Sequence, residues 1–110
     1  MRAYLVATVR VDDPDTYKAY TARTPDIIAK HGGRFLVRGG PVETLEGPAF
    51  QERLVIVEFP SMEAARSFYD SPDYRQAMAF RVASADSVFL LAQGVPEGQG
   101  APDDRVVKTG

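Results

Sequence analysis

Apolar and polar positions alternate with a period of two over the first stretch of the chain, Ala3–Val11. Leu5, Ala7, Val9 and Val11 fall on one face, and Tyr4, Val6, Thr8 and Arg10 on the other, which predicts a strand. Tyr4 and Val6 are apolar as well, so both faces are expected to be at least partly covered. The period then lengthens. Tyr17, Tyr20, Thr24, Ile27 and His31 recur at steps of three and four, one face of a helix opened by Asp12-Asp13-Pro14 and ended by Gly32-Gly33. Pro25 lies inside this segment and predicts a kink or a split. A second strand follows over Arg34–Arg38 and is broken by Gly39-Gly40-Pro41. Residues 42–50 read as an extended connection or hairpin tip with a turn at Glu46-Gly47-Pro48. Arg53–Phe59 is a third strand, and Pro60-Ser61 closes it. Ser61 then caps a second helix whose buried face is Ala64, Ala65, Phe68 and Tyr69. Ser71-Pro72-Asp73 opens a short third helix with Tyr74, Ala77, Met78 and Arg81, and residues 87–93 form the last strand.

This order, β-α-β-β-α-β with one added helix, implies an α+β, ferredoxin-like domain over residues 1–94 with an antiparallel sheet and its helices on one face. Residues 95–110 are rich in Gly, Pro and charge without periodicity and read as a flexible C-terminal tail; docking of Val106-Val107 is the less favoured reading. A sheet covered on one side should alternate cleanly between apolar and polar residues. Here Tyr4 and Val6, Val55 and Val57, and Phe89 and Leu91 are assigned to the helix-free side, and the chain has no spare element to cover them. A second copy packed sheet against sheet with two-fold symmetry is the expected solution. The competing reading puts these residues at strand ends or under the 41–52 connection.

Composition narrows the function. The 110 residues carry a net charge of -2, with no basic excess to attract phosphates, so nucleic acid is not an expected partner. No apolar run is long enough to span a membrane, and Met1 leads straight into the first strand rather than into a signal-peptide core. There is no cysteine, which excludes disulfides, thiolate catalysis and thiolate metal sites. A cytoplasmic protein is the expectation.

Three stretches carry a resemblance. Gly32-Gly33-Arg34-Phe35-Leu36-Val37-Arg38-Gly39-Gly40, then Arg53-Leu54-Val55-Ile56-Val57-Glu58-Phe59-Pro60-Ser61, then Tyr69-Asp70-Ser71-Pro72-Asp73-Tyr74, resemble the uncharacterised domain family DUF1330 from about Tyr4 to Gly94. The resemblance implies the dimeric α+β barrel group, and with it the fold and homodimer argued above. That group includes cofactor-free oxygenases, isomerases, dehalogenase-like decomposition enzymes and haem-degrading proteins, and members without known activity. It implies no catalytic set for these residues.

The candidate chemistry rests on a few side chains. His31, the only histidine, is a candidate general base or haem ligand; the preferred reading is structural, a helix C-terminal histidine favoured by the dipole. With one histidine and no cysteine, no metal is expected, and haem is disfavoured. Arg34 and Arg38 are assigned to one face of the second strand, and Arg53 opens the third. Arg38 and Arg53 can grip a carboxylate or phenolate through the planar guanidinium fork, or form salt bridges with Glu43, Glu52 or Glu58; both readings stand, and Arg34 is read as structural. Glu58 lies between Val57 and Phe59, either as a base with a raised pKa or as the ion-pair partner of one of these arginines. Tyr4 and Tyr69 are candidates to stack on or hydrogen-bond a flat ligand, while Tyr17 and Tyr20 are read as core.

The expectation is therefore a cofactor-free dimer with a small-molecule pocket. Arg38, Arg53, Tyr4 and Tyr69 would bind a small organic acid or aromatic metabolite, and Glu58 or His31 would accept a proton in an oxygenase- or isomerase-like step. The alternative is a non-catalytic dimer acting through its surface or tail. The sequence leaves open whether the protein is an enzyme.

Overall fold

The period-two stretch is strand β1, Ala3–Val11, and helix α1, Pro14–Lys30, follows it. Then come β2 (Arg34–Arg38), β3 (Arg53–Phe59), α2 (Met62–Asp70), α3 (Pro72–Ser84) and β4 (Ala85–Gln93). The computed structural model describes residues 1–96; of the tail read from the sequence, residues 97–110 lie outside those described. The strands form one sheet of order β2-β3-β1-β4 with every pairing antiparallel, and the helices cover one face: an α+β, ferredoxin-like fold.

Local chemistry sets the boundaries. Asp13 accepts from the Thr16 amide at 3.3 Å and from its hydroxyl at 2.7 Å, capping α1 just before Pro14. The helix ends at His31 in a Schellman arrangement. Gly32 N–H donates to Ala29 O at 3.0 Å and Gly33 N–H to Ile28 O at 2.9 Å, with Gly32 at φ +77, the left-handed conformation that favours glycine. Ser61 caps α2 at Ala64 N (3.0 Å), and Ser71 caps α3 at Tyr74 N (3.2 Å). The third helix is not short: its 13 residues exceed the 9 of α2, and the last strand starts at Ala85, two residues earlier than the pattern indicated.

Pro25 does not split α1, which runs unbroken for 17 residues. Proline removes the N–H that would have bonded the Thr21 carbonyl one turn earlier. That carbonyl is satisfied instead by the Arg38 guanidinium, at 3.3 Å.

Register decides which side chains meet the helices. Ala3, Leu5, Ala7 and Val9 of β1 point to them and are buried, as are Val57 and Phe59 of β3. Val55, Phe89 and Leu91 share that face through their pairing with Ala7 and Leu5. This corrects the assignment of Val55, Val57, Phe89 and Leu91 to the helix-free side. The residues on that side are Leu54 and Ile56, and Val88 and Leu90, beside Tyr4, Val6 and Thr8. The helix-free face is apolar as expected, through the opposite residues of β3 and β4.

A second correction concerns β2. Arg34 pairs with Glu58 and Phe35 with Val57, but Val37 pairs with Ile56 and Arg38 with Val55; a β-bulge lies between Phe35 and Val37. The extra residue inverts the alternation. Arg34 therefore lies on the helix-free face, and Arg38 on the helix side.

Candidate functional site

On the helix side, at the end of the sheet where β3 and β4 begin, the register lays out a small floor. Arg53 and Ser87 flank Val9 in one cross-strand row; Val55 and Phe89 flank Ala7 in the next, with Arg38 beyond Val55. Tyr17 and Tyr20 of α1 lie in the core, their ring centroids 5.5 Å apart. Arg53 reaches to 5.9 Å from the Tyr17 ring centre. Its guanidinium passes beside Gly39, at φ +73, where any Cβ would overlap it. Arg81 enters from α3, only 7% exposed, and lies 4.1 Å over the Phe89 ring and 5.8 Å from that of Tyr20. It donates to Ser87 Oγ at 2.5 Å. The hydroxyls of Tyr20 and Tyr74 meet at 2.7 Å.

Arg38, Arg53 and Arg81 all act on Tyr17. Burial pushes the Tyr17 hydroxyl pKa up, and the three guanidiniums, Arg53 foremost, pull against it. Burial raises Tyr20 and Tyr74 also, so all three phenols are neutral donors near pH 7. Among the described residues, none of the three arginines has a carboxylate partner. Arg53 Nε and Arg81 Nε are buried without a hydrogen bond. A buried guanidinium normally has an anion beside it, since leaving it unpaired costs desolvation energy. Exposed Arg38, half-buried Arg53 and buried Arg81 form a positive path from surface to interior.

The other sequence candidates are placed elsewhere. Glu58 and Tyr4 are on the helix-free face. The Glu58 carboxylate accepts from Arg34 Nε at 2.8 Å, Arg2 at 3.0 Å and the Tyr4 hydroxyl at 3.1 Å, beside a depression of about 350 Å³ that Gly32 and Pro60 also line. Arg34 first, then Tyr4 and Arg2, hold its pKa below the usual carboxylate value, against the opposing effect of desolvation. His31 closes α1 with Nδ1 3.0 Å from the Ile27 carbonyl and its ring edge-on to Phe68 at 6.0 Å. Tyr69 packs on Tyr74 and Phe89 and lines an open apolar groove of about 300 Å³ with Leu5, Ala65 and Leu91. Of the six candidates, Arg38 and Arg53 share the floor on the helix side, Tyr4 and Glu58 meet on the opposite face, and His31 and Tyr69 stand apart from both pairs.

Two members of the cluster, Arg81 and Tyr17, were not among those candidates. Arg81 carried a signal: a charged residue on the same helical stripe as Tyr74 and Ala77, where an apolar one would be expected. Tyr17 carried none that distinguished it from core. Among the described residues, no group of three or more His, Cys, Asp or Glu side chains is placed to hold a metal ion, and no helix is long and apolar enough to cross a membrane.

The family model described as "Domain of unknown function (DUF1330)" matches residues 2–95. A comparison with curated proteins returns no match. Among solved structures, a protein of unknown function from Rhodopseudomonas palustris superposes with a TM-score of 0.72 at 22% identity, over 86% of this chain and 83% of its own. A dimeric ferredoxin-like protein of unknown function from Jannaschia sp. CCS1 gives 0.66 at 14% identity, over 86% and 100%. SnoaB, a cofactor-independent oxygenase from Streptomyces nogalater, gives 0.59 at 17% identity, over 89% and 97%. At these identities the likeness is one of fold.

Proposed function

The chain belongs to the DUF1330 family, and from that premise and the geometry above we propose that it is a homodimer in which each subunit binds a small planar organic acid at Arg38, Arg53, Arg81 and Tyr17. The observation that carries this reading is Arg81, a guanidinium buried among Tyr20, Ser87 and Phe89 with no carboxylate beside it among the described residues. Arg38 and Arg53 steer and grip the anion through their planar guanidinium forks, the first of the two readings the sequence left open. A neutral Tyr17 hydroxyl among guanidiniums stabilises negative charge developing on oxygen, as in an enolate or phenolate. Cofactor-independent oxygenation and keto–enol isomerisation both pass through such an anion, and a structural neighbour is an oxygenase of that kind. Glu58, His31, Tyr4 and Tyr69 are outside this proposed site.

The homodimer is proposed from the apolar helix-free face, where Val88 and Leu90 are 57% and 61% exposed, and from a structural neighbour described as dimeric.

Titration calorimetry with a panel of benzoate-like and enolic acids tests the site. Binding that weakens with salt and falls at least about tenfold in Arg53→Met and Arg81→Met is expected, since a charge-assisted hydrogen bond contributes about 1.5–3 kcal/mol. Binding unaffected by both substitutions, or no binding by the wild-type protein, overturns the proposal.

A further inference from the structure

The guanidiniums on the helix side form two separate poles. Arg81 arrives from α3 and is bonded to Ser87 Oγ on β4, with the Tyr20 ring centre 5.8 Å away and the Tyr74 hydroxyl close enough to feel its charge. Arg53 stands on β3 and leans past Gly39 toward the end of β2, where Arg38 also lies, with the Tyr17 ring centre 5.9 Å away. Between the poles, β1 presents only Val9 and Ala7. Arg53 and Ser87 flank Val9 in one cross-strand row, so two strand spacings, roughly 10 Å, separate the backbone anchors of the two poles.

Each pole holds a buried donor without an acceptor, Arg53 Nε at one and Arg81 Nε at the other. Neither guanidinium has a carboxylate partner among the described residues. The phenols around them are neutral, and a neutral hydroxyl accepts a hydrogen bond without cancelling a charge. A ligand with one acid group at Arg53 leaves the more deeply buried Arg81 unmatched. A single acid group at Arg81 leaves Arg53 and Arg38 unmatched. Either way, one desolvated donor keeps its cost. We infer that the ligand of this site is a small dianion, its two acid groups held apart by an apolar body, one at Arg81 and the other at Arg53 and Arg38. This rests on the binding site proposed above and narrows its substrate class from an organic acid to a diacid. The uncharged row of Val9 and Ala7 matches the apolar middle of such a molecule, and a second charge-assisted contact selects it over a monoacid of the same shape.

Titration calorimetry with isophthalate, and with its monomethyl ester as a monoanion of similar size, reads the number of poles engaged. Isophthalate is expected to bind at least about tenfold more tightly than the ester. That advantage should shrink severalfold in Arg81→Met and in Arg53→Met, each of which disables one pole. It should persist in Arg10→Met, which removes an exposed charge from the opposite face. Equal affinity of the wild-type protein for the two compounds overturns the dianion and leaves a monoacid site standing. An advantage undiminished in either pole variant, or lost equally in Arg10→Met, overturns the two-pole arrangement. Binding of benzoate without binding of isophthalate overturns the dianion alone, and binding of none of the three compounds overturns the site with it.

Discussion

The Arg38 guanidinium donates to the carbonyl of Thr21 at 3.3 Å, and Thr21 is the residue whose helical donor is missing because Pro25 stands one turn later. A strand arginine thus completes a helix hydrogen bond that proline deletes. Pro25→Ala restores the N–H and is expected to raise stability by about 1–2 kcal/mol, the gain of a helix former being reduced by a more flexible unfolded chain. Arg38→Ala should cost about 0.5–1 kcal/mol less in the Pro25→Ala background than in wild type, because the carbonyl then has its own donor. Urea denaturation of the four proteins measures both. Additive effects would show that the 3.3 Å contact contributes nothing.

Arg81 gives the opposite sign from most buried residues. Its charge is desolvated without a described carboxylate, which is destabilising, while its methylene stem packs on Phe89. Arg81→Met keeps the stem and removes the charge. Without ligand it is expected to be as stable as wild type or more so, by up to about 2 kcal/mol, despite losing the bond to Ser87. The same variant should lose binding of planar acids. A fall in the thermal midpoint of several degrees would mean that Arg81 is a structural residue.

Much of this architecture could be read from the chain because it is written locally. Asp13-Pro14, Ser61 and Ser71 cap helices within a few residues of themselves, and the alternation over Ala3–Val11 needs no partner to be seen. The bulge between Phe35 and Val37 exists only in the pairing of β2 with β3, so nothing near Arg34 and Arg38 announced that they face opposite ways. The faces of β3 and β4 were assigned wrongly for a related reason: both faces are apolar, and alternation cannot choose between two apolar sets. Glu58 was correctly seen as a carboxylate among apolar neighbours, with both its readings open. Its low pKa follows from Arg2, Tyr4 and Arg34, which come from distant parts of the chain. Arg38 and Arg53 could be singled out as isolated arginines, but Arg81 completes their cluster only once α3 is laid against β4.

Glu58 sets an acid limit on stability. Its folded pKa lies below the reference value of 4.5, because Arg34, Tyr4 and Arg2 favour the carboxylate. A lowered folded pKa means that the unfolded state takes up the proton first as pH falls. The contribution is complete above about pH 4.5 and is lost as pH drops through the lower folded value. Glu58→Gln is therefore expected to be less stable than wild type at pH 7, with the difference shrinking on acidification below 4.5. Thermal midpoints from pH 7 to pH 3 measure this. A difference that is constant with pH would mean that the charge of Glu58 does not matter and only its shape does.

Leu90, on edge strand β4, lies in one cross-strand row with Val6 and Ile56 on the helix-free face, and 61% of it is exposed in the single subunit. Val82 is similarly apolar and 64% exposed, but lies on α3 in the helix layer. If the sheet face is covered by a second copy, the two positions differ sharply in their response to charge. Burying a leucine is worth about 1.5–3 kcal/mol, and a symmetric interface buries it twice. Leu90→Asp is therefore expected to weaken the dimer at least a hundredfold, from the lost burial and two desolvated carboxylates, and to abolish the dependence of the thermal midpoint on protein concentration. Val82→Asp should leave the dimer constant unchanged. Sedimentation equilibrium over a range of concentrations reads both. Equal behaviour of the two variants would place the dimer contact somewhere other than the face that carries Val6, Ile56 and Leu90.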